Sequence, residues 1–404
     1  MTKTKEQTIA LIGFGCVGSG FYTLQKEYDA IQVRYIVVKD RLKPRNAPTE
    51  LIHFDYQPAI DDTEVDTIVE LIDDAEVAWQ IASSALKAGK NVVTANKKMI
   101  AARLPELLDL AKKHRGILRF EAAVCGSIPI LQTLNNYLNG LDIQSVSGIL
   151  NGSSNYILSK IEKENLGFAE ALRLAQSLGF AEADPTLDIE GFDAAYKLLI
   201  LSAFAFGKAP QAEEIIRGGI SALEYRDLNF ARQRQLRLKL LAFAEPKGLA
   251  YVLPALVSSN EATYAIDQEY NIALVESEQL GLQSYVGKGA GSIPTGKAVL
   301  EDVMAVRRGE AYQLELSSEK SVFEGDIEVY FRFPGLLPPE IEWVEQKEIF
   351  TSSLINYVVG KVRPEGLRTL ASFLSKPGYF LAVFPSTLQE RSPEYQEQSC
   401  SLSL

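Results

Sequence analysis

The chain has 404 residues, enough for two to three domains at ~150 residues each and for a core that needs no disulfide or metal staple. Lys and Arg number 41 against 52 Asp and Glu, a net charge of −11 that argues against nucleic acid or an anionic membrane as a general partner. Three scattered cysteines (Cys16, Cys125, Cys400) and two histidines (His53, His114) leave little material for a disulfide framework, a zinc ribbon or a histidine triad. Met1-Thr2-Lys3 leads almost directly into an apolar run without signal-peptide architecture, and no apolar run approaches the ~20 residues of a membrane span. The expectation is a soluble, multidomain, cytoplasmic α/β protein.

Residues 8–13 (TIALIG) form a short apolar run, expected as a buried parallel strand. Gly13-Phe14-Gly15-Cys16-Val17-Gly18 follows, then a helical segment. Strand, glycine turn and helix in that order are the context of the dinucleotide fingerprint. Gly13 permits the tight turn, Gly15 lets backbone approach a pyrophosphate, and Gly18 lets helix and strand pack closely. The helix start, Cys16 and Val17 included, offers free N–H groups to phosphate. An empty structural turn of the same shape is the plain alternative. The next strand, residues 32–38, ends at Lys39-Asp40-Arg41-Leu42-Lys43-Pro44-Arg45. An acid there binds ribose hydroxyls and an arginine accepts a 2′-phosphate, so Asp40 and Arg41 point to different cofactors. NAD against NADP stays open, the cations favouring NADP or dual use, and a solvated basic turn is the other reading.

Residues 65–72 (VDTIVELI) are expected as another buried strand, 75–88 as a helix and 91–94 as a strand ending at Thr94. Lys97 follows that strand end, where ligands of parallel sheets gather, although it could be a surface lysine opening the next helix. Asp193 and Lys197 are spaced i, i+4 in an otherwise apolar segment, which sets carboxylate and ammonium on one helix face. An ordinary intrahelical ion pair is the alternative. Upstream, Glu182, Asp184, Asp188 and Glu190 crowd a loop with Pro185, suiting a cationic amino group or simply a solvated turn. Together a nicotinamide site, two lysines and these acids fit a zwitterionic amino acid. Hydride addition to an aldehyde leaves charge on oxygen, which ammonium groups stabilise and protonate. Cys125 has no histidine near it in sequence and reads as a small packed residue rather than a nucleophile. Cys16, inside the glycine turn, could make cofactor binding sensitive to oxidation.

Five motifs then fall in one order. They are residues 89–98 (GKNVVTANKK), 120–129 (FEAAVCGSIP), 148–156 (GILNGSSNY), 181–197 (AEADP through GFDAAYK) and Gly289-Ala290-Gly291 with Pro294-Thr295. Across roughly residues 8–305 the chain resembles the homoserine dehydrogenases. The resemblance implies interconversion of L-aspartate 4-semialdehyde and L-homoserine, as in threonine and methionine biosynthesis, with Lys97 and Lys197 as catalytic residues at the reacting oxygen. It implies Glu182, Asp188 and Asp193 on the substrate. Thr94, Lys97, Gly179 and Gly291 would join Gly13, Gly15, Cys16, Val17, Gly18, Asp40 and Arg41 around the cofactor. It also implies a monovalent cation, Na⁺ or K⁺, held largely by backbone carbonyls of Glu121, Val124, Gly126 and Ile128. Cys125 and Ser127 stand where glycines are usual, and Asp73-Asp74 replaces a common Gly-Gly.

The expected plan is a Rossmann domain over residues 1–130 and an α+β catalytic domain over 146–288. A dimerisation region would combine 131–145 with 289–318, giving a homodimer or tetramer. Residues 322–388 suggest an eroded, ACT-like α+β domain. Its strands are expected at 326–333, 341–351, 354–362 and 379–384 and its helix at 364–375, and a proline-rich loop at 334–340 replaces the first helix. Such a domain would bind threonine weakly or not at all, and its apolar strand faces could be buried by another subunit, so that truncation before Asp326 would spare the reaction. Residues 389–404 are expected as a disordered tail. Two other functions compete: another NAD(P)-dependent semialdehyde dehydrogenase, or a catalytically silent cofactor-binding regulator. The retained Lys97, Glu182, Asp193 and Lys197 argue against silence.

Overall fold

A computed structural model describes residues 6–208, 210–317 and 322–385. The expected tail at 389–404 and Cys400 lie outside the described residues.

Six parallel strands build the first sheet: β1 (Gln7–Ile12), β2 (Ile31–Val37), β3 (Ile52–His53), β4 (Thr67–Glu70), β5 (Asn91–Thr94) and β6 (Leu118–Arg119). Their order, β3-β2-β1-β4-β5-β6, reverses between β1 and β4, the crevice where such sheets receive ligands. β1 and β4 are almost wholly buried because helices cover both faces. β4 is shorter than its apolar run. The Glu70 carboxylate accepts the Ile72 N–H at 2.7 Å and turns the chain out of the sheet two residues early. The Asp73-Asp74 pair has a local explanation too: Asp74 caps the helix Ala75–Lys87, accepting from the Glu76 and Val77 amides. The helix Ser292–Arg307 returns to this sheet and meets the helix Cys16–Gln25 backbone to backbone. A Cβ on Gly296 would lie 2.5 Å from the Phe21 nitrogen.

The second sheet contains β7 (Ile143–Ile149), β8 (Ile216–Arg217), β9 (Arg237–Ala244), β10 (Ala250–Val257), β11 (Tyr270–Ser277) and β12 (Gly281–Lys288). It runs β12-β11-β7-β9-β10 antiparallel, with β8 alongside β10. Leu238 and Leu240 of β9 share one core with the helices Gly152–Glu164 and Phe192–Phe206.

The C-terminal segment holds β13 (Ile327–Phe333), β14 (Trp343–Thr351), β15 (Asn356–Val362), the helix Pro364–Ser372 and β16 (Phe380–Val383). These elements fall within a few residues of their expected bounds, and residues 334–342 carry no helix. The strand order is β16-β13-β15-β14, and β16 joins β10 in parallel through Ala255 and Val383. That join alters one expectation. The apolar faces need no second subunit. Val329 and Phe331 share a core with Tyr251 and Leu253, while Tyr330 and Tyr357 pack on Phe230 of the helix Tyr225–Gln233. The buried Arg332 guanidinium donates to Asp227 Oδ1 at 2.9 Å and to the carbonyls of Ala222 and Gly378. Truncation before Asp326 would therefore uncover the second sheet and strand Asp227, not remove an appendage. Among the described residues, no helix is long and apolar enough to cross a membrane.

Candidate active site

The glycine turn sits at the β1 end of the crevice. Gly13 has φ +100°, and a Cβ there would lie 2.5 Å from the Leu71 carbonyl oxygen, so only glycine fits without displacing the strand next door. Gly18 abuts the Gly13 carbonyl, whereas Gly15 faces open space. That space is what a pyrophosphate needs, beside the N-terminus of the helix Cys16–Gln25. Val17 is half-buried behind it, and Cys16 is exposed. The Cys16 carbonyl accepts hydroxyls from Ser19 and Ser292, which ties the turn to the loop at Gly291, itself at φ +119°. The residues present fit a dinucleotide.

At the end of β2 the exposed Asp40 carboxylate accepts the Leu42 and Lys43 amides, at 2.8 and 3.3 Å, and shapes the turn. The Arg41 guanidinium lies 4.6 Å from the centre of the Phe54 ring. Thr94 is fully buried; its hydroxyl donates to Glu70 and accepts the Asn96 amide.

Lys97 opens the helix Lys97–His114, whose cap is Asn96. Its Nζ lies 2.9 Å from Asp193 Oδ1. Lys197, one turn along the helix Phe192–Phe206, reaches the other oxygen, Asp193 Oδ2, at 2.7 Å and donates to the Leu150 carbonyl at 2.7 Å. Asp193 is thus shared by two ammonium groups from two different helices. Burial alone would raise its pKa, but Lys197 and Lys97, with hydrogen bonds from Lys197 and Asn151, hold the carboxyl far below the usual carboxylate range. In return Asp193 pushes the Lys97 ammonium upward against its own burial, helped by the fields of Asp188 and Glu182.

Asp188, on the turn Thr186–Ile189, faces the same place, its pKa raised by burial and by Asp193. Asn151, within residues 148–156, is a site residue that sequence reasoning misses. Its Nδ2 donates to Asp188 Oδ1 at 2.7 Å and to Asp193 Oδ2 at 2.9 Å, while its Oδ1 caps the helix Gly152–Glu164 at the Ser154 amide. An uncharged residue between two acids leaves no sequence signal beyond an Asn before a helix start. Glu182 stays exposed; its main chain accepts from Gln176. Gly179, at φ +76°, precedes Phe180, whose carbonyl accepts the Ser153 hydroxyl. The structure brings together Lys97, Lys197, Asp188 and Asp193, with Glu182 at the rim.

The turn after β6 packs on residues 287–289: the Ser127 amide donates to the Lys288 carbonyl. Cys125 has φ +56°, a left-handed conformation that explains why glycine is usual there, and it is fully buried. Burial pushes its thiol up to about 11 despite the nearby Lys197, so it is no nucleophile at neutral pH. The Glu121 carboxylate is used by the Leu131 and Gln132 amides, and no cluster of three His, Cys, Asp or Glu side chains suited to a metal occurs among the described residues. A cation here would depend on backbone carbonyls, among them Val124, Gly126 and Ile128.

Comparison with known proteins shows the family. A family profile described as homoserine dehydrogenase matches residues 129–304, and one described as its NAD-binding domain matches 13–121. The homoserine dehydrogenase of Corynebacterium glutamicum is 40% identical over 323 residues, covering 75% of this chain and 72% of that one. That of Bacillus subtilis is 36% identical over 318 residues, covering 75% and 73%. Among solved structures, a homoserine dehydrogenase from Thiobacillus denitrificans superposes with TM-score 0.83 at 29% identity, over 94% of this chain and 98% of that one. The S. aureus homoserine dehydrogenase at pH 6.5 gives TM-score 0.74 at 31% identity, over 94% and 99%. With an open dinucleotide turn, two lysines on one buried aspartate and relatives at this level, the chain belongs to the homoserine dehydrogenase family of NAD(P)-dependent oxidoreductases.

Proposed function

We propose that the chain interconverts L-aspartate 4-semialdehyde and L-homoserine, with Lys97 and Lys197 at the reacting oxygen. The observation that carries this reading is the Asp193 carboxylate shared between the two ammonium groups. The nicotinamide supplies or accepts the hydride. When an aldehyde is reduced, charge builds on its oxygen, and ammonium N–H groups directed there stabilise it and deliver the proton. Lys197 uses two of its three protons on Asp193 and Leu150, leaving the third for substrate. Asp193 aligns both lysines, while Asp188 and Glu182 offer negative charge to the substrate's amino group. The exposed Arg41 favours NADP, since the Asp40 carboxylate is committed to its own turn.

The same reading places residues 1–130 as the cofactor domain and 146–288 as the catalytic domain. Residues 131–145 with 289–318 would serve dimerisation in a cytoplasmic homo-oligomer. Backbone carbonyls of Glu121, Val124, Gly126 and Ile128 would take the monovalent cation. Residues 322–385 would be an ACT-like domain that lost its first helix, supported by the order β16-β13-β15-β14. The test is a substrate panel, homoserine and other amino alcohols with NAD and NADP, followed by nicotinamide absorbance. Turnover of homoserine alone supports the reading, and cofactor binding without turnover of any substrate overturns it.

A further inference from the structure

Glu70, the last residue of β4, is fully buried at the carboxyl edge of the sheet. Its Oε2 accepts the Thr94 hydroxyl at 2.5 Å and its Oε1 accepts the Ile72 amide at 2.7 Å. The Thr94 hydroxyl in turn accepts the Asn96 amide at 3.0 Å. Asn96 closes the ring, its Nδ2 donating to the Ile72 carbonyl at 3.0 Å and its Oδ1 accepting the Met99 amide at the start of the helix that Lys97 opens. Each hydrogen runs toward Glu70, so the chain of donors is consistent only with an acceptor at its end. The ring joins β4, β5 and the first turn of the lysine helix.

We infer that Glu70 is a positioning residue for the reaction: as a carboxylate it orders Thr94 and Asn96, and through them it aims Lys97 at Asp193 and the substrate oxygen. The inference rests on the proposed role of Lys97. Burial raises the Glu70 carboxyl to about 7, against the hydrogen bonds from Thr94 and Ile72. β1, β5 and the helices Ala75–Lys87 and Ser292–Arg307 pack around β4. Of the charged groups there and on the following turn, Asp73 alone acts on Glu70, and it raises the value further. Protonation puts a donor where the Thr94 hydroxyl donates and reverses that link. Glu70→Gln freezes the same reversed state, because its amide nitrogen can only donate.

The experiment measures kcat for homoserine oxidation in wild type and Glu70→Gln from pH 6 to 8, with the Kd for NADPH by fluorescence titration. We expect the ratio of wild-type to variant kcat to rise from about two at pH 6 to about nine at pH 8, while Kd changes less than about threefold. Thr94→Val removes the hydroxyl between Glu70 and Asn96; it should show a similar loss at pH 8, and the double variant should be no worse than either single one. A ratio that is flat with pH, a loss carried wholly by Kd, or additive single losses would overturn the inference. Should Glu70→Gln not fold, Thr94→Val alone decides, by whether kcat falls with Kd retained. Lys97→Met separates the two claims. Wild-type kcat there overturns the reading of Lys97 and this inference with it, whereas an inactive Lys97→Met beside a flat Glu70→Gln ratio overturns only the inference.

Discussion

Lys97 Nζ lies 2.9 Å from Asp193 Oδ1, and this ion pair joins a helix that springs from the parallel sheet to a helix packed on the mixed sheet. Cofactor and substrate elements thus meet on a charge pair at the centre of the proposed chemistry.

Removing either ammonium should cost catalysis. Lys197→Ala and Lys97→Ala are each expected to lower kcat by about 10² or more, by loss of charge stabilisation and proton supply. Because both lysines share Asp193, the double variant should lose less than the product of the two single losses. Near-normal kcat in a folded single variant would remove that lysine from the mechanism.

Asp193→Asn tests the clamp. The amide cannot hold two cations, so kcat should fall together with a rise in KM for homoserine, while the Kd for NADPH holds. Glu182→Gln, at the exposed rim, should move KM alone. Weakened cofactor binding with unchanged KM would assign these acids to the other ligand.

At the β2 turn, Arg41→Ala should weaken NADPH more than NADH, since only NADPH carries a 2′-phosphate. Asp40→Ala should loosen the turn and affect both cofactors, because its carboxylate holds the Leu42 and Lys43 amides. Equal losses for both cofactors in Arg41→Ala would leave the loop without a part in selection.

Stability should fall as pH rises through neutrality. Burial and the charge of Asp302 push the Glu121 carboxyl up to about 8, and burial pushes Asp302 to about 6 despite Arg119 at 3.0 Å. A folded pKa above the unfolded value of ~4 means the native state binds more protons between the two. The stabilisation is full below the unfolded value and is lost as pH climbs through the folded one. Tm should therefore decline from pH 5 to 8, and Glu121→Gln should flatten that slope. A slope untouched by the substitution would place the linked proton elsewhere.

Cutting one partner of the buried Arg332–Asp227 pair should be severe. Arg332→Met leaves Asp227 charged and buried, and a loss of about 3–5 kcal/mol is expected in chemical denaturation. A loss under ~1 kcal/mol would show that the C-terminal sheet does not depend on this pair.

Much of this site was legible in the sequence because its chemistry needs rare, spaced residue types. Gly13, Gly15 and Gly18 and the Asp193–Lys197 spacing identify themselves in that way. What escaped was uncharged or long-range. Asn151 bridges two acids with nothing but an amide, and Glu70 hid inside an apolar run that reads as one strand. That Lys97 meets the free oxygen of Asp193 depends on how two sheets are set against each other, which no local pattern encodes. The C-terminal strands were legible one by one, yet their join to β10 is a single parallel pairing between distant residues, Ala255 and Val383.

That pairing bears on how the molecule melts. Since β16 extends the sheet that carries β7 and β9, and Tyr251 and Phe331 share one core, the C-terminal strands cannot come apart without exposing the support of the helix that holds Lys197. Calorimetry should show no early transition for residues 322–385; they should lose structure in the same endotherm as the catalytic sheet. A segment that reads as a detachable sensor is thereby a cooperative part of the enzyme's own folding unit.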